Sequence, residues 1–266
     1  MAGEAMSPRR IPRRVVGPAV GAGAVGAAYW FMMSPYSQAL GRFPYRGPGD
    51  ERVVALTFDD GPNEPYTSEL ADYLDGEDVR ATFFQVGRAV ERHPEVTRRL
   101  ASSGHVIGLH GYTHEFTQYL RRRTVADELR RGMGAFAEVG IRPALYRPPW
   151  LLRIPALPGL LDEHGLHVVS GEFCHLLEVA QPSPHRIADQ ALRGAHPGSI
   201  IIFHDGWDGK SADRASTVEA VRLLVPRLRA QGYTFTTVDH LLGLPAYQHP
   251  ADDPTITRLA PADHNR

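Results

Sequence analysis

The feature that most constrains the fold of this chain is an alternation. From Arg52 onward, short apolar runs take turns with helical stretches. The segments Val53–Phe58, Ala81–Val86, Val106–Leu109, Ala144–Tyr146, His167–Ser170, Ser199–Phe203 and Thr234–Val238 read as buried strands. Thr67–Leu74, Ala89–Ser103, Val125–Val139, Gly159–His164, Pro184–Arg193 and Thr217–Gln231 read as helices between them. Alternation of this kind gives a parallel sheet with helices outside, and so many units favour a barrel over an open sheet. A length of 266 residues suits one α/β barrel.

In parallel α/β folds, sites gather where the strands end. The first strand ends in Asp59-Asp60, followed by the turn pair Gly61-Pro62. Successive strand residues face opposite sides, so the two carboxylates should not share one role. Like charges at the mouth of a buried strand need a cation beside them, either a metal ion or an arginine. The third strand runs into His110-Gly111-Tyr112-Thr113-His114, the fourth into Arg147-Pro148-Pro149-Trp150, the fifth ends near Glu172, and the sixth runs into His204-Asp205-Gly206. Five strand ends bearing polar groups at one face are hard to explain as structural. The i, i+4 spacing of His110 and His114 lets both imidazoles reach one metal if the loop makes a helical turn. An Asp from a neighbouring strand completes a His2Asp site with a position open for water, which a zinc-like ion would acidify. A nearby carboxylate can then take a proton, and a second histidine across the site can return one. Arg147 can hold a carboxylate ionised. Trp150 either lines a sugar site or packs in the core.

Composition excludes some alternatives. Acidic and basic residues nearly balance, 30 against 29, and the basic ones are scattered, so there is no footprint of a nucleic-acid binder. Cys174 is the only cysteine, which rules out an internal disulfide and a cysteine-based zinc cluster.

The N-terminus reads differently from the rest. Arg9, Arg10, Arg13 and Arg14 precede a charge-free run from Val15 to Met33. Its length suits a membrane-spanning helix or a long signal peptide, and the arginines keep their end in the cytoplasm. The expected organisation is a basic segment at 1–14, an anchor or signal at 15–33, a linker at 34–51, the catalytic domain at 52–244 and a flexible tail at 245–266. The domain then lies outside the cytoplasm, at the end of a single-pass anchor or, if the run is cleaved, secreted.

TFDDGP at 57–62, HGYTH at 110–114, RPPW at 147–150 and IIFHDG at 201–206 resemble, in order, the motifs of the NodB-type polysaccharide deacetylases, carbohydrate esterase family 4. The resemblance implies a distorted (β/α) barrel that removes acetyl groups from sugars, mostly N-acetylglucosamine units, with one divalent metal, Zn²⁺ or a similar ion such as Co²⁺. It assigns Asp59 as general base, Asp60, His110 and His114 as metal ligands, Arg147 as the residue orienting the base, and His204 as general acid. Trp150 takes an aromatic position whose backbone N–H helps bind the oxyanion; Pro149 and Glu172 fall at substrate-side positions. Two departures stand out. Gly111 replaces the usual Ser or Thr. In the fourth motif, normally two Asp and a closing Trp, Glu172 and His175 take the places of the acids, which support Arg147 and tune the catalytic histidine, and Leu176 takes that of the Trp. The implied substrate is an acetylated wall polysaccharide or a lipid-linked sugar, with the N-terminal helix in a membrane. The alternatives are a catalytically weak glycan binder, or a hydrolase of an O-acetyl ester or a non-sugar amide.

Overall fold

β1 (Val53–Asp59) is the middle of the sheet, and its side chains alternate between two apolar environments. Val54, Leu56 and Phe58 face outward into the larger core, under the helices. There Phe58 stacks on Phe83 and Phe203 of the two flanking strands, at 4.9 and 5.7 Å between ring centres. Ala55 faces inward to a smaller core with Phe84, Leu145, Val169 and Ile200. Thr57 and Asp59 follow Ala55 at two-residue steps, so the pleat sets them on that inner face.

The computed structural model describes residues 26–248. β2 (Thr82–Gln85), β3 (Val106–Leu109), β4 (Leu145–Tyr146), β5 (His167–Val168), β6 (Glu172–Phe173), β7 (Ile200–His204) and β8 (Thr234–Thr236) join β1 in one sheet. The order is β5-β4-β3-β2-β1-β7-β6, with β8 against the first half of β1. Every pairing between these strands is parallel. The helices are α1 (residues 26–33), α2 (Tyr66–Gly76), α3 (Gly87–Arg92), α4 (Pro94–Ser102), α5 (Arg122–Glu138), α6 (Leu157–Glu163), α7 (Pro184–Gly194), α8 (Ala215–Ala230) and α9 (Val238–Leu242). The expected parallel α/β architecture is present as a curled sheet. It is not closed, because β5 and β6 end the strand order at opposite edges.

The departures from strict alternation have local causes. The helix expected over Ala89–Ser103 is two helices, broken at His93. Pro94 follows, and a residue before proline is driven out of the α region. β5 and β6 are two residues each and are joined directly through Val169–Gly171, without a helix. Residues 34–47, which read as a linker, lie along this interruption. Phe43 is buried, Ser170 donates to the carbonyls of Pro44 and Pro35, and Arg46 bridges to Ser199. Residues 246–248 bond to the backbone of Arg142–Ala144.

Of the run expected to cross a membrane, residues 15–25 lie outside the described residues, as do 1–14 and 249–266. Among the described residues no helix is long and apolar enough to cross a membrane.

Candidate active site

The register of the central strands builds the site. Asp59 lies beside His204 across β1 and β7, and β3 and β4 deliver His110 and Arg147 to the same rim. Asp59 completes the strand; Asp60 does not. At Asp60 the backbone is left-handed, φ 79°, and its carboxylate leaves the strand in another direction. The two adjacent acids therefore meet different partners, because the strand ends between them and the backbone turns at Asp60 rather than through the alternation of the pleat.

Asp59 faces Arg147, which is fully buried. The guanidinium donates to Asp59 Oδ1 at 2.6 Å, to Thr57 Oγ1 at 2.8 Å and to the Ser170 carbonyl at 2.8 Å. Its face covers the Phe84 ring at 4.1 Å. Three acceptors at fixed angles hold the planar fork in one pose, and the fork holds Asp59.

Asp60 faces the two histidines. Its Oδ1 lies 3.4 Å from His110 Nε2 and 3.2 Å from His114 Nε2. His110 Nδ1 stands 2.7 Å from the Arg147 carbonyl, which can only accept, so Nδ1 carries the proton and Nε2 offers a lone pair. His114 Nδ1 stands 2.7 Å from Asp208 Oδ1, outside hydrogen-bond angles, and this carboxylate still favours the proton on Nδ1 and a lone pair on Nε2. The one polar atom left without a hydrogen bond on the Asp60 carboxylate is Oδ1, and it is buried. A buried carboxylate oxygen and two imidazole lone pairs, all within 4.8 Å of one another, lack only a cation between them. The set fits a divalent ion of the zinc kind. Burial would raise the Asp60 carboxyl, but the imidazoles of His114 and His110 outweigh it and hold it below the usual carboxylate range.

The 110–114 loop is not the helical turn expected from the spacing. Gly111 (φ 78°) and His114 (φ 56°) are both left-handed, and the loop is pinned from outside. The buried Glu128 on α5 accepts from the N–H groups of Tyr112 and Thr113, the Thr113 hydroxyl and the Tyr119 hydroxyl, at 2.6 to 2.9 Å. The glycine in place of Ser or Thr also finds its reason here. A Cβ at 111 would stand 1.8 Å from the Tyr119 hydroxyl. Replacing Gly111 with Ala should cost about 1–3 kcal/mol through overpacking and about 1–2 kcal/mol more through the left-handed backbone. Chemical denaturation of the variant checks this; a loss under 1 kcal/mol would show that Tyr119 moves aside freely.

His204 is held by Glu178. Nδ1 lies 2.7 Å from Glu178 Oε2, and the Thr217 hydroxyl donates to the other carboxylate oxygen. Burial would lower the His204 imidazole, but the Glu178 carboxylate raises it to about 9. Asp205, fully buried, accepts from the Gly61 N–H at 3.1 Å and the Thr67 hydroxyl at 2.6 Å. Burial, with Asp60 and Asp59 nearby, pushes it up to about 7.

These groups open on a cavity of about 300 Å³, lined by Asp59, Asp60, His110, His114, Trp150 and His204 among others. Trp150 packs its ring 4.2 Å from that of His114. Pro149 is buried and absent from the lining, where its neighbour Pro148 stands instead. Glu172 is also absent from it: its carboxylate pairs with His196 at 2.9 Å and touches neither Arg147 nor His204. Of the non-glycine residues with left-handed backbone, Asp60, His114, Trp150, Leu151 and Asp208 all line the cavity. Such conformations persist where the surroundings over-determine them, as at functional sites.

Sequence reasoning missed Glu178, Asp208 and Glu128. The only trace of Glu178 is an acid set among Leu176, Leu177 and Val179, which suits a buried position. It is six residues past the point where the fourth motif seemed to place its first acid.

The family model described as polysaccharide deacetylase matches residues 46–169. A peptidoglycan-N-acetylglucosamine deacetylase of Bacillus cereus is 31% identical over 213 residues, covering 80% of this chain and 97% of the relative. A chitooligosaccharide deacetylase of Azorhizobium caulinodans is 29% identical over 69% of this chain and 91% of its own. The crystal structure of a peptidoglycan N-acetylglucosamine deacetylase with 4-naphthalen-1-yl-N-oxidanyl-benzamide superposes with a TM-score of 0.70. That pair is 26% identical, over 77% of this chain and 95% of the other. A mutant of a pseudoenzyme of carbohydrate esterase family 4, with restored activity, superposes at 0.67 with 25% identity over 77% and 72%.

Proposed function

The chain belongs to the polysaccharide deacetylase family, and from that premise we propose that it removes N-acetyl groups from an amino-sugar glycan of the cell wall or from its lipid-linked form, outside the cytoplasm. Asp60, His110 and His114 would hold the divalent ion. Bound there, the ion supplies a Lewis acid and an acidified water. Asp59, aimed by Arg147, accepts the proton that the attacking water gives up. His204, charged by its pairing with Glu178, donates a proton to the departing amine. Trp150 walls the cavity on the side of the two histidines.

The observation that carries this reading is the buried Asp60 oxygen with no donor, aimed at two imidazole nitrogens beside a separate acid–arginine pair. A pure binder has no need of both a base and an acid, and each here has its own buried partner. The experiment is acetate release from N-acetylglucosamine oligomers and peptidoglycan by the full chain, metal-stripped and then reloaded with Zn²⁺. Stripping should abolish release and zinc should restore it. No release from these or from a lipid-linked acetylated amino sugar, with zinc bound and the protein folded, would overturn the deacetylase reading and favour the weak glycan binder.

A further inference from the structure

The mouth of the cavity is apolar to a degree its chemistry does not require. Of the large apolar side chains exposed among the described residues, only Phe31, Tyr36 and Leu120 neither line the cavity nor adjoin a residue that does. Tyr29, Phe173, Leu176 and Trp207 form its rim; Trp30 and Leu177 stand beside them, 57% and 63% exposed. A concentrated exposed patch of this kind marks an interaction surface. A sugar platform explains the aromatic members but not the leucines. Leu176 is 77% exposed and offers a hydrophilic glycan neither a flat ring nor a hydrogen bond.

What covers the patch is indicated by where the chain comes from. Tyr29 and Trp30 belong to α1, the described end of the charge-free run Val15–Met33, which four arginines precede. α1 is not loosely attached. The buried Arg153 donates its backbone N–H to the Met32 carbonyl at 2.9 Å and its guanidinium to the Ser34 carbonyl at 2.8 Å. Ser37 donates to the Phe31 carbonyl at 2.8 Å. A guanidinium at a helix C-terminus also meets the negative end of the helix dipole. The apolar run therefore ends clamped at the lip of the active site. Trp and Tyr prefer the boundary of a bilayer, where one end of the ring is wet, and leucines belong just below it.

We propose that the cavity rim is a membrane-docking surface, and that the amino sugar deacetylated is carried on a lipid of the same bilayer. The second half rests on the deacetylase reading; the first does not.

The chain has three tryptophans, Trp30, Trp150 and Trp207. In the full chain carrying Trp30→Phe and Trp150→Phe, Trp207 reports alone. Vesicles of phosphatidylethanolamine and phosphatidylglycerol with brominated acyl chains should quench its emission. Failure of the chain to bind vesicles, or binding with Trp207 unquenched, overturns the docking surface. If the unquenched chain is a dimer that Leu177→Glu dissociates, the patch belongs to a second copy. The other arm compares acetate release from a dialkylglycerol-linked chitobiose in those vesicles with release from soluble chitobiose. Leu177→Glu should lower the first about tenfold, by weakening interfacial burial, and leave the second unchanged. An equal effect on both overturns the lipid-borne substrate. Quenched Trp207 with no acetate from either substrate overturns the deacetylase reading and leaves the docking surface standing.

Discussion

Replacing Asp59 with Asn should lower kcat on N-acetylglucosamine oligomers about 10²- to 10⁴-fold, the usual contribution of a positioned base. Zinc content should not change, because Asp60, His110 and His114 converge without Asp59. The substitution has a second effect that separates it from a simple loss of chemistry. Among the described residues, Asp59 is the one carboxylate paired with the fully buried Arg147. Removing one partner of a buried pair typically costs about 3–5 kcal/mol. Asn keeps the shape and an oxygen acceptor, so the low end is expected. Denaturation and metal analysis of the same sample read both numbers. A fully active variant, or one as stable as the parent, would sink the assignment of Asp59 as the arginine-held base.

Replacing Glu178 with Gln should move the alkaline limb of the kcat/KM profile toward acid. Glu178 raises His204 to about 9, which keeps it charged as a proton donor at neutral pH. Without the carboxylate, burial dominates and the imidazole falls. Each unit of that fall is about 1.36 kcal/mol, so activity near pH 8 should drop at least about tenfold while activity near pH 6 changes less. A divalent ion nearby adds positive charge and pulls the limb down in parent and variant alike, so both are measured under one metal load. Stability follows the same sign. A histidine raised on folding stabilises fully below its unfolded value of about 6.5 and loses that stabilisation as pH rises through about 9. The stability difference between parent and variant should therefore shrink with rising pH through this window. An unshifted profile would mean that Glu178 only packs.

These two residues show what was legible in the sequence and what was not. Asp59 ends a seven-residue strand whose apolar pattern is plain, and the rule that parallel sheets carry chemistry at strand ends finds it. His110, Arg147 and His204 follow by the same rule, and a family resemblance sharpened their roles. Glu178 sits in a three-residue turn, Glu178–Ala180, too short for any periodicity to announce. It reaches His204, 26 positions away, because the chain after β6 folds back over β7. Asp208 was hidden for the same reason, since it acts on His114 of a distant loop; Glu128 lies close in sequence to the loop it pins but sits on the buried face of α5, where nothing in the helical pattern marks an acid as a partner of that loop. β6 escaped because two residues make no pattern, and the 34–47 strap because Gly, Pro and Arg read alike in a tether and in an ordered crossing of a sheet edge.

That strap moves the catalytic domain's true beginning upstream. Ser170 gives its carbonyl to Arg147, and its own N–H and hydroxyl are taken by Pro44 and Pro35. The aim of Asp59 is thus relayed, in two hydrogen-bonded steps, from residues that precede the first strand of the sheet. A chain cut at residue 52 would keep every motif residue and lose this relay, along with Phe43, which lies under the guanidinium of Arg153. The segment that steadies this arginine begins at Pro35, well upstream of the first strand.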